Sequence, residues 1–244
     1  MMGFNKPTGG EVSIFGYDMS KDSSSAKKHI GYLPGNMKLY DKWTGWDHIR
    51  FFEGVRGKSK NVNDLIKRLN FDPTAKFRHL SSGNKQKLGL ILALMNSPKL
   101  LIMDEPTVGL DPLLQNEIYK ILLEMRKQGT TILISSHNLP EVEKLCDRVA
   151  IIKSGKIVAT EQISELVKKK LHKVEVRFAD KVKPGDFDIR GVEKVDEITG
   201  GLVLTISGDL NPLIAELSKY KVIDLELSHA SLEDIFLKYY EGGL

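Results

Sequence analysis

Residues 99–105 are Lys-Leu-Leu-Ile-Met-Asp-Glu, an apolar run that ends abruptly in two adjacent acids, Asp104 and Glu105. A second apolar run, residues 130–134, is followed by Ser-Ser-His, of which the last is His137. One helix-length segment separates the runs, and a strand–helix–strand crossover sets two parallel strands side by side, or nearly so, in one sheet. We therefore expect the two acids and the histidine at the carboxyl edge of that sheet, where open α/β folds bind ligands.

The composition of the 244 residues, 41% hydrophobic and 28% charged, is ordinary for a soluble globular protein of one large or two smaller domains. The formal net charge of +4 is too small to predict a nucleic-acid partner by itself. The longest apolar stretch, residues 88–95, is far shorter than the roughly 20 residues that cross a bilayer. A single cysteine, Cys146, excludes an internal disulfide and suits a reducing compartment.

The first part of the chain alternates between short strands and helices. Alternation and turn residues predict strands at 11–15 and 30–34, and apolar periodicity predicts helices at 46–55, 61–69, 84–96 and 113–127. Asp111 before a proline is typical of a helix start, and Gly129 of a helix end. A hairpin is predicted to follow at 149–160.

The composition changes near the three consecutive lysines 168–170. We interpret these lysines as a solvated helix end, with contact to acidic lipid headgroups as the alternative. Beyond them, the pattern predicts a small α+β appendage, with strands at 173–178, 192–198, 202–207 and 222–227 and helices near 211–218 and 231–240.

Two segments could carry chemistry. At the end of a buried strand, Asp104 could hold Mg²⁺ and Glu105 could polarise a water as general base; the alternative is two solvated acids before a turn. Residues 80–84, Leu-Ser-Ser-Gly-Asn, open a helix with small residues, and exposed amides at a helix N-terminus favour an anion. Lys85 and Lys87 oppose the helix dipole there, which a bound phosphate would relieve. The alternative is an ordinary serine cap beside solvated lysines.

These segments together resemble the nucleotide-binding subunits of ABC transporters, with order and spacing maintained over residues 10–160. The resemblance rests on residues 80–84, 100–106, 109–111 and 135–137. It implies an α/β, P-loop NTPase-like (RecA-like) ABC ATPase domain at residues 1–165, with a helical subdomain at about 36–97. It further implies a C-terminal α+β accessory domain at 172–244, like that of ABC-2 type export ATPases.

The resemblance also implies the cofactors ATP and Mg²⁺ and a set of site residues. One group matches the signature loop, which contacts the γ-phosphate of ATP held by the partner subunit: Ser81, Ser82, Gly83 and Asn84. The other group matches the acid associated with Mg²⁺, the catalytic base, the loop that communicates across the dimer and the switch histidine: Asp104, Glu105, Asp111 and His137. Independently of this role, Asp111 is expected to cap a helix.

The sequence departs from the family pattern at several points. The P-loop motif G-x-x-x-x-G-K-[ST] is not found in the 244 residues. In the family it precedes a Pro-Thr-x-Gly-Glu-Val stretch, here residues 7–12, so we expect that the chain starts after the P-loop and its helix. Gly35 occupies a position that is usually Gln or Glu. Ser82 replaces a usual glycine and Asn84 a usual glutamine, which leaves a small, polar loop.

The resemblance implies an ATP-binding and ATP-hydrolysing subunit that energises an exporter through a nucleotide-sandwich dimer of identical or different subunits. Its partner would be a transmembrane permease subunit, which places it in the cytoplasm, on the inner face of the membrane. Without a P-loop, the chain is expected to bind ATP very weakly alone, so its enzymatic activity stays open. The alternative is a degenerate subunit that donates its signature loop in trans. A DNA-repair or ribosome-associated ATPase is disfavoured because no long coiled-coil arm fits between Pro34 and Leu80.

Overall fold

The computed structural model describes residues 2–164 and 171–229. Its contacts divide the chain into two compact units, Met1–His137 and Asn138–Leu244. The three lysines at 168–170 and the helix predicted at 231–240 lie outside the described residues, so their interpretation stays a prediction. No helix among the described residues is long and apolar enough to span a lipid bilayer.

The first unit opens with a small hairpin of β1 (Ser13–Ile14) and β2 (Tyr17–Asp18). The predicted strand at 11–15 is wrong in its extent, because the chain already turns at Phe15 and Gly16. Both residues have a positive φ, 53° and 82° respectively, and this conformation cannot continue a strand. A short helix that the sequence did not predict follows, α1 (Ser23–Lys27).

The core of the first unit is a parallel sheet of β3 (Ile30–Leu33), β4 (Leu100–Asp104) and β5 (Thr131–Ser135), in the order β3-β4-β5. The predicted crossover between β4 and β5 is confirmed, since the two strands are parallel neighbours. Register pairs Asp104 with Ser135, which brings the polar ends of both strands to the same edge.

Four longer helices follow α1 in this unit: α2 (Gly45–Arg56), α3 (Val62–Arg68), α4 (Ser82–Leu94) and α5 (Pro112–Lys127). The start of α2 is fixed by a reciprocal bond between Thr44 and Asp47, which satisfies free amides of the first turn. Asp111 caps α5 as predicted, and Gly129 has φ 95° just beyond its end. The apolar run of α4 is buried, in keeping with a helix that is apolar on all sides.

The two edges of the parallel sheet differ. At the β3 edge, Arg56 donates hydrogen bonds to the carbonyl oxygens of Ile30 (2.7 Å) and Lys27 (3.2 Å). At the other edge, the Thr131 amide donates to Lys99 and therefore faces β4. Because alternate residues of a strand direct their amides to opposite sides, those of Ile132 and Ile134 point away from β4. No strand that the structure describes pairs with that side.

The second unit begins with α6 (Leu139–Leu145), β6 (Arg148–Lys153) and β7 (Lys156–Gln162). The elements that follow are β8 (Leu171–Phe178), β9 (Val192–Ile198), β10 (Gly201–Ser207), α7 (Asn211–Leu217) and β11 (Val222–His229). The last four strands form an antiparallel sheet with the order β11-β8-β10-β9. Its apolar core includes Phe178, Phe187 and Leu204, so the strands predicted for the appendage are found with a core of their own.

Candidate functional site

The carboxyl end of β4 presents two acids with different partners. The Ser135 hydroxyl, from the neighbouring strand, donates a hydrogen bond to Asp104 Oδ1. The next amide, that of Glu105, donates to the Ser135 carbonyl oxygen at 3.0 Å. Asp104 is therefore bonded to β5 through its side chain, whereas Glu105 is bonded to β5 through its backbone. The Glu105 carboxylate is thus left available for another partner.

The Glu105 carboxylate contacts His137, and the sequence predicts both residues at this edge of the sheet. Glu105 Oε1 lies 2.8 Å from His137 Nδ1 and 3.1 Å from the His137 amide nitrogen, which donates to it. Glu105 has φ 49°, a left-handed conformation that costs energy in residues other than glycine and is often found at functional sites. The side chain of Glu105 is 30% exposed and that of His137 80%, so solvent or a ligand can reach both.

Gly35 lies against the other acid. A Cβ built on Gly35 would come within 2.6 Å of Asp104 Oδ2, closer than real Cβ contacts. A side chain at position 35 would therefore have to displace the Asp104 carboxylate. The position at which the sequence departs from the family pattern therefore lies directly against Asp104.

The loop at the start of α4 is ordered by its own cap. Ser81 Oγ accepts a hydrogen bond from the Asn84 amide at 3.3 Å, while Ser81 and Ser82 are exposed. The serine cap of the alternative interpretation is thus present, and the two lysines beside it each have a partner. Lys85 Nζ lies 5.0 Å from the centre of the Phe77 ring, and Lys87 Nζ donates to the Asn70 carbonyl oxygen at 3.1 Å. These partners offset part of the unfavourable helix dipole at both lysines.

Gln86 connects this loop to the acids, and sequence reasoning missed it. Its side-chain amide donates to the carbonyl oxygens of Glu105 (3.2 Å) and Pro106 (3.0 Å). A Cβ built on Gly83 would lie 3.1 Å from the Gly109 carbonyl oxygen, so the two loops approach closely. A single glutamine near the start of a helix matches no motif, because its partners are distant in sequence.

Asp111 lies at the end of the same connecting loop. Its carboxylate accepts a hydrogen bond from the Leu114 amide at 3.0 Å as the N-cap of α5. Gln115, one turn into the helix, donates to the Leu110 carbonyl oxygen at 3.1 Å. Asp111 is thus placed by α5 rather than by the acids of β4, and it caps that helix as predicted.

The two acids provide too few oxygen ligands to hold a metal ion by themselves, but they could do so together with the phosphates of a bound substrate. Among residues 2–164 and 171–229, no group of three or more His, Cys, Asp or Glu side chains forms a metal site. Mg²⁺ is commonly held by one or two carboxylates plus substrate phosphates rather than by a protein cage. The exposed Asp104 carboxylate beside the Ser135 hydroxyl supplies the oxygen ligands of that kind of site.

Comparison with known proteins gives consistent matches. The ABC transporter family profile matches residues 1–108. The chain is 31% identical to the bacitracin transport ATP-binding protein BcrA of Bacillus licheniformis, over 100% of this chain and 83% of that protein. It is also 31% identical to an uncharacterized ABC transporter ATP-binding protein of Nostoc sp., over 97% of this chain and 73% of the relative.

Solved structures agree with this assignment. The ATP-binding subunit of an ABC transporter matches with a TM-score of 0.63 and 28% identity, over 68% of this chain and 72% of that one. A dimeric bacterial ABC transporter cassette matches with a TM-score of 0.60 and 21% identity, over 66% and 77%, which supports the fold. The predicted ABC ATPase fold is confirmed, and the chain belongs to the ATP-binding proteins of ABC transporters, a family that binds ATP.

Proposed function

We propose that this protein acts as an ATP-hydrolysing subunit of an ABC-type exporter and that Glu105 is its catalytic base. The observation that carries the proposal is the contact of the Glu105 carboxylate with the His137 ring and amide at the end of β4. A general base must be held in place and remain within reach of the water it deprotonates. His137 orients the carboxylate, and the partial exposure of Glu105 leaves room for that water.

We assign Asp104 to Mg²⁺ binding. Its carboxylate and the Ser135 hydroxyl would hold the ion, which would neutralise charge on the ATP phosphates when bound. Gly35, two residues beyond the end of β3, leaves the Oδ2 side of Asp104 without the Gln or Glu side chain that is usual in the family. His137 presents its ring beyond Glu105, in the position we expect to meet the γ-phosphate.

We further propose that the start of α4 serves the ATP of a partner subunit. Its 13 residues give it a helix N-terminus able to bind an anion, and its first loop consists of Ser81, Ser82, Gly83 and Asn84. The close approach of Gly83 to Gly109 supports a joint role of this loop and the segment ending in Asp111 at the interface of a cassette dimer.

A second candidate is a subunit that donates its signature loop in trans without hydrolysing ATP. It is favoured by the combination of an intact loop at the start of α4 with no P-loop motif in the 244 residues. P-loop backbone amides and lysine provide most contacts to the phosphates. Both candidates therefore predict that this chain alone binds ATP very weakly.

We propose a transmembrane permease subunit as partner, with the protein on the cytoplasmic face of the membrane. An exposed aromatic cluster in the first unit supports a protein partner. Tyr40 and Phe51 are more than half exposed, and the Trp43 ring lies 4.4 Å from Tyr40 and 5.6 Å from Phe51, measured between ring centres. Clustered exposed aromatic side chains are typical of interaction sites.

The decisive experiment compares Glu105→Gln with wild type in the assembled transporter. We expect turnover of ATP to be lost, ATP-dependent pairing of the cassettes to persist and the paired state to accumulate. The matched control, Glu193→Gln on β9, should hydrolyse ATP normally. Unchanged hydrolysis in Glu105→Gln, with Ser81→Ala abolishing ATP-dependent pairing, would favour the second candidate. Tight Mg·ATP binding by the isolated chain would contradict both.

A further inference from the structure

Arg68, the last residue of α3, makes a forked contact with α5. Its Nε lies 2.6 Å from Glu117 Oε1, and its two terminal nitrogens lie 2.6 and 3.0 Å from the two Glu124 carboxylate oxygens. The side chain of Arg68 is only 23% exposed. Its hydrogen bonds hold the pKa of Glu117 and of Glu124 below the usual value for glutamate. Forked, partly shielded arginine–carboxylate contacts are geometrically specific.

This contact is one of several that connect α3, α5, the loop of residues 105–111 and α4 in a closed path around the candidate site. We call this path the ring. From α5, Gln115 holds the Leu110 carbonyl oxygen. From α4, Gln86 holds the carbonyl oxygens of Glu105 and Pro106. Lys87 on α4 then reaches the Asn70 carbonyl oxygen, two residues beyond Arg68. The path therefore runs from α3 to α5, to the loop of residues 105–111, to α4 and back to the end of α3.

The members of the ring differ in strength. The contacts of Gln86, Gln115 and Lys87 are single-residue bonds to carbonyl oxygens, whereas Arg68 engages two carboxylates with three nitrogen–oxygen contacts. Hydrogen bonds with a charged donor or acceptor are about twice as strong as neutral ones, which applies once to Lys87 and to all three contacts of Arg68. If α3 separated from α5, Lys87 would carry the movement to the start of α4, which holds the predicted signature loop.

We propose that Arg68 is a positioning residue: by joining α3 to α5, it sets the placement of the loop at residues 81–84 relative to the segment at residues 105–111. This inference deepens the proposed function, on which it rests for the meaning of the signature loop. Arg68 touches neither the acids nor the loop itself and acts through the helices that carry them.

The experiment measures hydrogen exchange of individual amides in the nucleotide-free chain. Three donors report on the ring: Val108, which bonds to Glu105, Leu110, which bonds to Thr107, and Lys85, which bonds to Ser81. In Arg68→Met, which keeps the length but removes the charged fork, we expect all three to exchange at least tenfold faster. The Met95 amide at the far end of α4 should change by less than twofold.

Two further variants separate positioning from general stability. Ile49→Val removes a methylene from a buried side chain of α2 and should leave the ratio of the three amides to Met95 unchanged. Arg68→Lys keeps the charge but offers a single nitrogen to the two carboxylates, so it should raise the ratio less than Arg68→Met does. Equal effects in Ile49→Val and Arg68→Met, or no effect in Arg68→Met, would overturn the proposal. Should Arg68→Met fail to fold, Glu124→Gln replaces it, with at least threefold faster exchange expected.

The exchange measurement uses no nucleotide, so it is independent of the proposed function. If exchange responds as expected but Ser81→Ala leaves ATP-dependent cassette pairing unchanged, the signature-loop assignment fails and the positioning role of Arg68 stands. If pairing depends on Ser81 but exchange does not respond to Arg68→Met, the reverse holds.

Discussion

The two edges of the parallel sheet are finished in different ways. At the β3 edge, the half-buried Arg56 covers outward carbonyl oxygens, and α4 packs closely on the strand. At the β5 edge, Leu133 is 41% exposed, and the backbone groups of Ile132 and Ile134 point outward. Strand edges with free backbone groups and apolar side chains are prone to pairing with other chains. At the β3 edge, a side chain of the same unit thus bonds the backbone, whereas at the β5 edge no strand that the structure describes does so.

Among variants at the two edges, we expect the largest loss of stability from Gly31→Ala in β3. A Cβ at Gly31 would lie 2.2 Å from the Ala93 carbonyl oxygen and 2.8 Å from Pro98, so backbone would have to move. We expect a loss of about 3 kcal/mol in the free energy of unfolding, at the upper end of overpacking costs. Urea unfolding followed by tryptophan fluorescence measures it, because both tryptophans, Trp43 and Trp46, lie in the first unit. Gly9→Ala, with open space around its Cβ, is the control.

Arg56→Ala removes the cover of the β3 edge. Bonds from a charged donor contribute roughly 1.5–3 kcal/mol, and the abandoned carbonyls lose their partner. We expect about 2 kcal/mol of destabilisation in the same unfolding assay. Arg50→Ala breaks only an exposed pair with Asp47, which lies 2.7 Å away, and should cost less than about 1 kcal/mol. Equal effects of the two arginines would contradict the protective role of Arg56.

Acid should weaken the β3 side through the start of α2. The hydrogen bonds from Thr44 lower the pKa of Asp47 to about 2, below the value of about 3.9 of an unfolded chain. The stability from this carboxylate is therefore present above pH 4 and is lost as pH falls through about 2. Thr44→Val should be less stable than wild type at pH 5, and the difference should shrink towards pH 2. A difference that stays constant with pH would contradict this linkage.

The smallest effect on stability is expected from Leu133→Lys at the β5 edge. Because Leu133 is 41% exposed and a lysine can extend its charged end into water, the free energy of unfolding should change by less than about 0.5 kcal/mol. A lysine at an open edge disfavours pairing with other strands, so light scattering at elevated temperature should rise later than in wild type. Leu101→Lys, at a fully buried position of β4, should instead prevent folding. Earlier aggregation of Leu133→Lys would show that the β5 edge is not the site of association.

The elements that sequence analysis predicted correctly are those that are determined by residues close together in the chain. The run at residues 99–105 predicted a strand that ends in two acids. The crossover rule predicted that His137 lies at the same edge of the sheet, and in the structure it contacts Glu105. The ABC transporter family and the fold class are confirmed, whereas the domain boundaries and the roles of the site residues stay predictions. The prediction erred at Phe15, where a non-glycine residue with positive φ ends the strand early.

The contacts that sequence analysis could not find join residues far apart in the chain. Gln86 meets the Glu105 carbonyl oxygen, and Arg68 meets Glu117 and Glu124, and each of these residues also suits an ordinary solvated helix face. Periodicity identifies the apolar face of a helix but not which polar side chains cross to a neighbouring element. Such pairs are defined only when packing sets the helices in place.

The proximity of Gly35 to Asp104 links the residue at position 35 to the conformation of the acid. A Cβ there would come within 2.6 Å of Asp104 Oδ2, the end of a side chain that can rotate. The Asp104 carboxylate is also bonded to the Ser135 hydroxyl on the neighbouring strand, so a rotation forced from position 35 would act on that bond. A glycine at position 35 thus lets β5, through Ser135, set the direction of the Asp104 carboxylate.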